Sequence, residues 1–421
     1  MFRALRSRNY QLYFSGQLVS LVGTWLAHVA MSWLVYRLTG SKLLLGLVAF
    51  MGQIPSFALG PFTGVLIDRW DLRRTIIATQ ALAMLQAATL AILTLTGVVT
   101  VAHVVILAAA LGLINAFDMP ARQAFIVQML DRREDLGNAI ALNSSMFNAA
   151  RILGPAAAGI LVAAVGEGLC FLFNSLSFLA VIAALLAMRL TPVERNPAKK
   201  AWKELRDGLG YVRDSVPIRS ALLLMALVSV SGVPYMVLMP VFASDILHGG
   251  PRTLGFLSAS SGAGALIGAL ALAARPSVRG LERTLVVATA GFGAALILFA
   301  LSRWFALSVL ILPLAGFSAI TLLASCNTLL QTFVDDAMRG RVMAFYGMAF
   351  MGMMPFGSLL TGALAETSLG APGTVMINGS SCILAAIIFA RKVSALRAEL
   401  ERALGATGSK TTSIGDGGNG M

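Results

Sequence analysis

The feature that most constrains this chain is a succession of twelve long apolar runs separated by short polar turns. Crossing the ~30 Å hydrocarbon core of a bilayer takes ~20 helical residues, and helices satisfy their own backbone hydrogen bonds inside lipid. The runs are longer than barrel strands and lack their alternation. We therefore predict an all-α membrane protein with twelve transmembrane helices. The predicted runs lie near residues 11–37, 43–67, 75–97, 101–126, 138–165, 169–188, 219–244, 253–275, 284–302, 305–330, 342–365 and 371–390.

Composition and charge placement agree with a membrane location. Hydrophobic residues make up 57% of the 421 positions and charged residues 12%, whereas a soluble domain averages ~25% charged residues. The net charge of +13 falls mainly in alternate connecting segments, as the positive-inside rule requires. We therefore expect a multi-pass membrane protein with both termini in the cytoplasm. Its basic face would meet anionic membrane lipids, and the placement argues against nucleic acid as a partner.

The chain divides into two similar halves around a polar, basic linker. Several glycines recur at one constant offset between the halves, for example Gly46 with Gly255. Prolines mark breaks in the linker, and residues 199–213 have the pattern of an amphipathic helix at the membrane surface. We predict two pseudo-symmetric six-helix bundles and a cytoplasmic tail that starts as a short helix and becomes disordered. The predicted boundaries are 1–190 for the first bundle, 191–218 for the linker, 219–391 for the second bundle and 392–421 for the tail.

Glycines are concentrated in the second, fifth, eighth and eleventh runs. Small residues four positions apart let two helix backbones approach closely. In a transporter built from two halves, these are the helices that would slide against the opposite half. Ordinary helix packing is the simpler interpretation of the same pattern.

Charged residues inside the apolar runs are the main candidates for function. Asp118 is the acidic residue that we place within a run, where an ionised group costs ~2.5–3.5 kcal/mol. Arg122 follows one helical turn later, and Arg151 on the fifth run lies at a similar depth, so either arginine could pair with Asp118. The ion pair would handle protons or substrate, or it would only orient the helices.

Uncharged polar residues within the runs are candidates for lining a cavity. The first run has polar residues at steps of three or four, which place them on one helix face. His28 belongs to this stripe, and its ordinary titration range would suit proton exchange; a structural histidine is the alternative. The cavity-lining candidates are Gln17, Thr24, His28, Asn115, Asn327 and Gln331.

The segment after the second run reads Gly64-Val-Leu-Ile-Asp68-Arg69-Trp-Asp71-Leu72-Arg73-Arg74, and it resembles a loop motif of the major facilitator superfamily. Stretches beginning at Asn115, Asn148 and Arg339 narrow the resemblance to the drug:proton antiporter-3 branch, which includes the enterobactin exporter and macrolide efflux pumps. Asp71 departs from the motif, which usually has glycine there. The resemblance implies a gating network of Gly64, Asp68, Arg69, Arg73, Gly340 and Arg341. It also implies a location in the bacterial inner membrane.

Together these features predict a secondary active transporter that exports amphipathic small molecules, siderophore-like or drug-like, by alternating access coupled to protons. A lysophospholipid flippase on the same fold is the alternative, and a lateral cleft between the halves would favour it. A membrane-embedded enzyme is a third class. Its only support is Asp335-Asp336 without a second acidic cluster, so we predict no catalysis, no cofactor and no metal site. We expect the chain to work as a monomer.

Overall fold

The computed structural model describes residues 3–67, 69–190, 201–275, 277–335 and 338–391. Within these ranges, eleven helices are long and apolar enough to cross a membrane. One of them, over Arg133–Ala187, is broken at Gly166, whose φ of 80° and ψ of 169° are not helical. Glycine tolerates this backbone because it has no Cβ. The break divides the long helix into two spans, so the described residues contain twelve transmembrane helices, as predicted.

Six spans form the N-terminal bundle and six form the C-terminal bundle, with a shorter helix between them. The first bundle consists of α1 (Arg8–Thr39), α2 (Lys42–Ile67), α3 (Leu72–Leu95), α4 (Val101–Phe125), α5 (136–165) and α6 (167–187). The linker helix is α7 (Ala201–Asp214), and the second bundle consists of α8 (Val216–Ile246), α9 (Pro251–Ala273), α10 (Leu281–Leu301), α11 (Phe305–Phe333), α12 (Arg339–Glu366) and α13 (Gly370–Ala390).

Local chemistry accounts for several helix ends. α1 ends at Gly40, whose φ of 60° lets its amide donate back to the carbonyl of Tyr36; this is a common way to close a helix. α3 begins after Asp71, whose carboxylate accepts a hydrogen bond of 3.0 Å from the amide of Arg74. Asp71, which departs from the family's glycine, is therefore an N-cap that stabilises the start of α3.

Two spans of the C-terminal bundle are not regular α-helices along their whole length. α8 passes through a 3-10 stretch at Val233–Leu238 and a π-helical turn at Phe242–Ile246. α12 contains a π-helical turn at Met348–Gly352, where the Ser229 hydroxyl donates to the carbonyl of Phe350. Such wide turns occur often at functional sites.

The spans alternate in direction, so the bundles share two end faces. The linker face contains the start of α1 and the linker helix; the distal face contains the α1–α2 turn. α7 packs closely on the start of α12. A Cβ added at Gly208 would lie 3.0 Å from the Cβ of Arg341. This helix matches the one predicted over 199–213 within two residues. The predicted tail at 392–421 and residues 191–200 of the linker lie outside the described residues.

The two bundles touch on the distal side and separate toward the linker face. α2 packs on α12 and α5 on α9, so close that a Cβ at Gly46 would lie 2.6 Å from the carbonyl of Ser358, and one at Gly159 would lie 2.7 Å from the Cα of Gly255. Nearer the linker face, a Cβ added at Gly60 or Gly347 would meet no other described part of the chain within 4 Å. The glycine-rich helices therefore form the contact between the halves, as predicted, and the cleft opens to the linker face.

Candidate transport site

A buried polar cluster lies inside the N-terminal bundle around Asp118. The residue Asp118 is 6% exposed, and its Oδ2 lies 2.6 Å from the Nε of Arg122, one turn later on α4. From α3, the Thr79 hydroxyl donates to Oδ1 at 2.6 Å and the Gln80 amide donates to the same atom at 2.9 Å. A buried carboxylate is stable only when it is paired and hydrogen-bonded, and this one has three partners.

Arg122 extends this cluster to α1. Its Nη1 donates to the Oε1 of Gln17, and its guanidinium also interacts with the hydroxyl of Tyr13. Arginine suits such a site because its planar group presents several donors in fixed directions. The Asp118 cluster therefore connects α1, α3 and α4, and its members are Tyr13, Gln17, Thr79, Gln80, Asp118 and Arg122.

Arg151 lies at the boundary between the bundles and is not part of this cluster. A Cβ at Gly262 of α9 would lie 2.7 Å from the carbonyl of Arg151, and the guanidinium interacts electrostatically with Tyr235 of α8. Across the described residues Arg151 forms no hydrogen bond or ion pair through its side chain. Of the two partners that the sequence left open for Asp118, the structure selects Arg122.

The other predicted cavity residues stand apart from the Asp118 cluster. Thr24 is exposed and donates to a backbone carbonyl of its own helix, and His28 packs edge-on against a tryptophan ring. Asn327 accepts a hydrogen bond of 2.5 Å from Gln331 on α11. Asn115 is partly exposed, one turn before Asp118. The structure thus brings Gln17 to the ion pair and leaves these five residues elsewhere.

The predicted gating motif is only partly described. Asp68, its acidic member, lies outside the described residues, whereas Gly64 lies in the last turn of α2 and Arg69 is exposed just after it. Arg73 donates at 2.9 Å to the carbonyl of Leu186 at the end of α6. This contact fixes the start of α3 against α6.

Gly340 and Arg341 lie at the start of α12 on the linker face. A Cβ added at Gly340 would meet no other described part of the chain within 4 Å. Arg341 packs against α7 and points a guanidinium nitrogen at the sulfur of Met338, 3.2 Å away. This end of α12 therefore lies against α7 on the linker face.

A second polar region closes the distal face and was not predicted from the sequence. The Oε2 of Glu366, at the end of α12, accepts hydrogen bonds from the amides of Lys42 and Leu43 at 2.7 and 3.0 Å, and from the Ser41 hydroxyl at 3.1 Å. The amides belong to the first turn of α2, where a helix favours negative charge. One carboxylate therefore joins the two bundles.

Two further acids hold the distal face. The Tyr36 hydroxyl of α1 donates to Asp245 of α8, which is another contact between bundles. The Nε of Arg37 lies 2.7 Å from Glu167, and this ion pair stays within the N-terminal bundle. In the sequence, these contacts are indicated only by an acidic residue near the distal end of three runs. The partners of these acids lie far away along the chain, so the pairs could not be predicted.

The fold and site together define a class. Two six-helix bundles surround a cleft that is closed at one end, and glycine-rich helices form the contact between them. A buried ion pair lies in the first bundle. This is the architecture of a secondary transporter that works by alternating access.

Comparison with known proteins identifies the family. The sequence pattern of the transmembrane secretion effector family matches residues 1–406. The chain therefore belongs to this family of major facilitator transporters, and the predicted resemblance is confirmed.

Similar proteins of known activity are efflux transporters. The chain is 25% identical over 380 residues to the staphyloferrin A transporter of Staphylococcus aureus, covering 90% of this chain and 94% of the relative. It is 26% identical over 356 residues to the multidrug efflux pump Tap of Mycolicibacterium fortuitum, covering 82% and 86%. It is 24% identical over 397 residues to macrolide efflux protein A of Streptococcus pyogenes, covering 90% and 96%.

Solved structures share the fold. An inward-facing bacterial homologue of the iron transporter ferroportin superposes with a TM-score of 0.69 at 16% identity, covering 92% of this chain and 99% of that one. An inward-facing, unoccupied bacterial homologue of the lysosomal transporter Spinster gives 0.66 at 12% identity, covering 96% and 98%. The predicted fold of two pseudo-symmetric bundles is confirmed.

Proposed function

We propose that this chain is a proton-coupled exporter of amphipathic organic molecules. The observation that carries the proposal is the Asp118 cluster, a hydrogen-bonded ion pair buried within a bundle that must move during alternating access. Protonation of the Asp118 carboxylate cancels its negative charge and weakens its hold on Arg122. Loss of the proton restores the ion pair. A change of this kind couples proton binding to the contacts among α1, α3 and α4.

The orientation follows from charge. The linker face carries most of the lysines and arginines, so by the positive-inside rule it is the cytoplasmic face. The cleft then opens to the cytoplasm, where an exporter loads its substrate. The contacts of Glu366 and Asp245 close the opposite side, and they must break for release. In this scheme protons enter as substrate leaves.

The substrate class follows from the relatives and from the cleft. Two of the three relatives are named for drugs or macrolides and one for a siderophore. These are organic molecules larger than simple ions. A cleft lined mainly by apolar helices with few polar groups suits amphipathic compounds of this kind.

Transport in inside-out membrane vesicles tests the proposal. Vesicles containing the chain should accumulate a macrolide, a siderophore or an aryl carboxylate only when a proton gradient is imposed. Asp118→Asn should abolish the accumulation, since amide and carboxylate have similar shape but the amide takes up no proton. Asp214→Asn, at an exposed site on α7, is the matched control and should transport normally. Gradient-dependent accumulation that survives Asp118→Asn would contradict the proposed coupling.

A further inference from the structure

A cation that has no counter-ion among the described residues lies at the inner end of the cleft. Arg151 is on α5, in line with Pro155 and Gly159, whose backbones pack on Gly255 of α9. These positions repeat every four residues, so Arg151 belongs to the stripe that faces the opposite bundle. It comes directly after the distal contact, on the side toward the linker face. The arginine is therefore near the point where the two bundles part.

The charge of Arg151 is not neutralised by the residues that the structure describes. The buried carboxylate of Asp118 is taken by Arg122, and Glu167, Asp245 and Glu366 are engaged at the distal face. Arg151 is partly exposed, so it reaches the space between the bundles. A guanidinium in a membrane span is costly unless it is paired, and a ligand anion would supply the pair.

The opposite bundle presents a hydroxyl pair to the same place. Tyr235 of α8 is buried, and Ser261 of α9 precedes Gly262, where a Cβ would lie 2.7 Å from the carbonyl of Arg151. The Tyr235 hydroxyl lies 2.8 Å from the hydroxyl of Ser261. When Ser261 donates to Tyr235, the tyrosine proton is free to bind a ligand oxygen. The site thus combines a cation from one bundle with a hydrogen-bond donor from the other.

We propose that Arg151, with Tyr235 and Ser261, binds a carboxylate group of the exported molecule. This deepens the proposed function, on which it rests, because it narrows the substrate class to amphipathic organic acids. Guanidinium and carboxylate match in geometry through two parallel hydrogen bonds. A carboxylate held between both bundles connects the moving halves, so its binding responds to their separation. Basic amines and neutral esters lack this contact.

Equilibrium binding without any gradient tests the proposal. The full chain in lipid nanodiscs would be titrated with aryl carboxylates of increasing size, up to 1-pyrenebutyrate, and with the methyl ester of each. The wild-type chain should bind at least one carboxylate at least tenfold more tightly than its ester. Arg151→Gln should bind both forms equally, and Arg151→Lys should keep part of the preference because it retains charge without the planar fork. Arg303→Gln, on the exposed α10–α11 turn, should leave the preference unchanged.

Two outcomes would overturn the proposal: no carboxylate preference anywhere in the wild-type series, or a preference that persists in Arg151→Gln. Should Arg151→Gln fail to stay folded, Tyr235→Phe gives a second measurement. Loss of its hydroxyl should weaken the preference severalfold, and an unchanged preference in both Tyr235→Phe and Arg151→Lys would also contradict the site. The binding titration applies no gradient, so it tests the site independently of transport. A chain that prefers carboxylates in this titration but accumulates nothing in the vesicle assay would contradict the proposed proton-coupled export and not the carboxylate site.

Discussion

Charge is arranged differently inside the N-terminal bundle and at the boundary between the bundles. Inside the bundle, Asp118 and Arg122 pair one turn apart, and Arg37 pairs with Glu167. At the boundary, Glu366 binds backbone amides of the other bundle and Arg151 has no carboxylate partner among the described residues. Internal pairs survive any rigid movement of the halves, whereas boundary contacts form and break with it. Internal charges should therefore contribute most to stability, and apart from the proposed protonation of Asp118, boundary charges should control the conformational equilibrium and ligand binding.

The largest effect is expected from removing one member of the internal pair. Asp118→Ala leaves the buried Arg122 without its carboxylate, and breaking such a pair costs about 3–5 kcal/mol. Thermal unfolding of the purified chain in detergent should show a large loss of stability. Asp214→Ala, at an exposed position, is the control and should unfold like the wild type. A loss below about 1 kcal/mol would mean that the pair does not hold the bundle.

Neutralising both partners sharpens the assignment of their role. The double variant Asp118→Asn, Arg122→Gln removes both charges, so it should regain most of the stability that Asp118→Ala loses. A coupling residue cannot be replaced in this way, so proton-driven accumulation should stay absent. Stability and vesicle transport would be measured on the same preparations. A double variant that transports at the wild-type rate would make the pair purely structural.

Two acids at the distal face allow a direct test of the boundary. Charge at a helix N-terminus contributes about 0.3–2 kcal/mol. Glu366→Gln should therefore shift the conformational equilibrium severalfold toward separation of the distal ends. Spin labels at the exposed positions Leu38 and Leu369 would report the distance between bundles. Glu167→Gln, which breaks a pair within one bundle, should leave that distance distribution unchanged. Equal responses of the two variants would remove the distinction between internal and boundary charges.

The smallest effect on stability is expected at Arg151. Because this arginine has no ion-pair partner among the described residues, Arg151→Gln strands no opposite charge. Its free energy of unfolding should stay within about 0.5 kcal/mol of the wild type, or rise slightly because a desolvated charge is removed. The thermal assay used for Asp118→Ala gives the comparison. A loss as large as that of Asp118→Ala would reveal a structural partner and place Arg151 with the internal charges.

Hydrophobicity was enough to predict the spans, because each run must match the thickness of a bilayer whatever its neighbours are. The same pattern located Asp118 as an acid within a span. It could not choose between Arg122 and Arg151, since that choice depends on how α4 and α5 are rotated about their axes. Thr79 and Gln80 were visible only as two polar residues in an apolar run.

The distal contacts could not be predicted from the sequence. Glu366 and Lys42 meet although 324 positions separate them, and local patterns hold no information on such a pair. The position of these acids at the ends of the runs predicted only that they lie near the membrane surface. Packing of α2 on α12 brings the two ends together, and glycines such as Gly46 permit that packing.

The π-helical turn at Met348–Gly352 has a mechanical consequence. It lies between the part of α12 that packs on α2 and the part near Gly347 that faces open space. A wide turn interrupts the regular ladder of hydrogen bonds, and bends in helices concentrate at such points. We therefore expect α12 to act as a hinged lever rather than a stiff rod. The linker-side part of α12 can bend toward α2 while the distal part stays packed on it. The cleft therefore begins to close on the linker face before the distal contacts break.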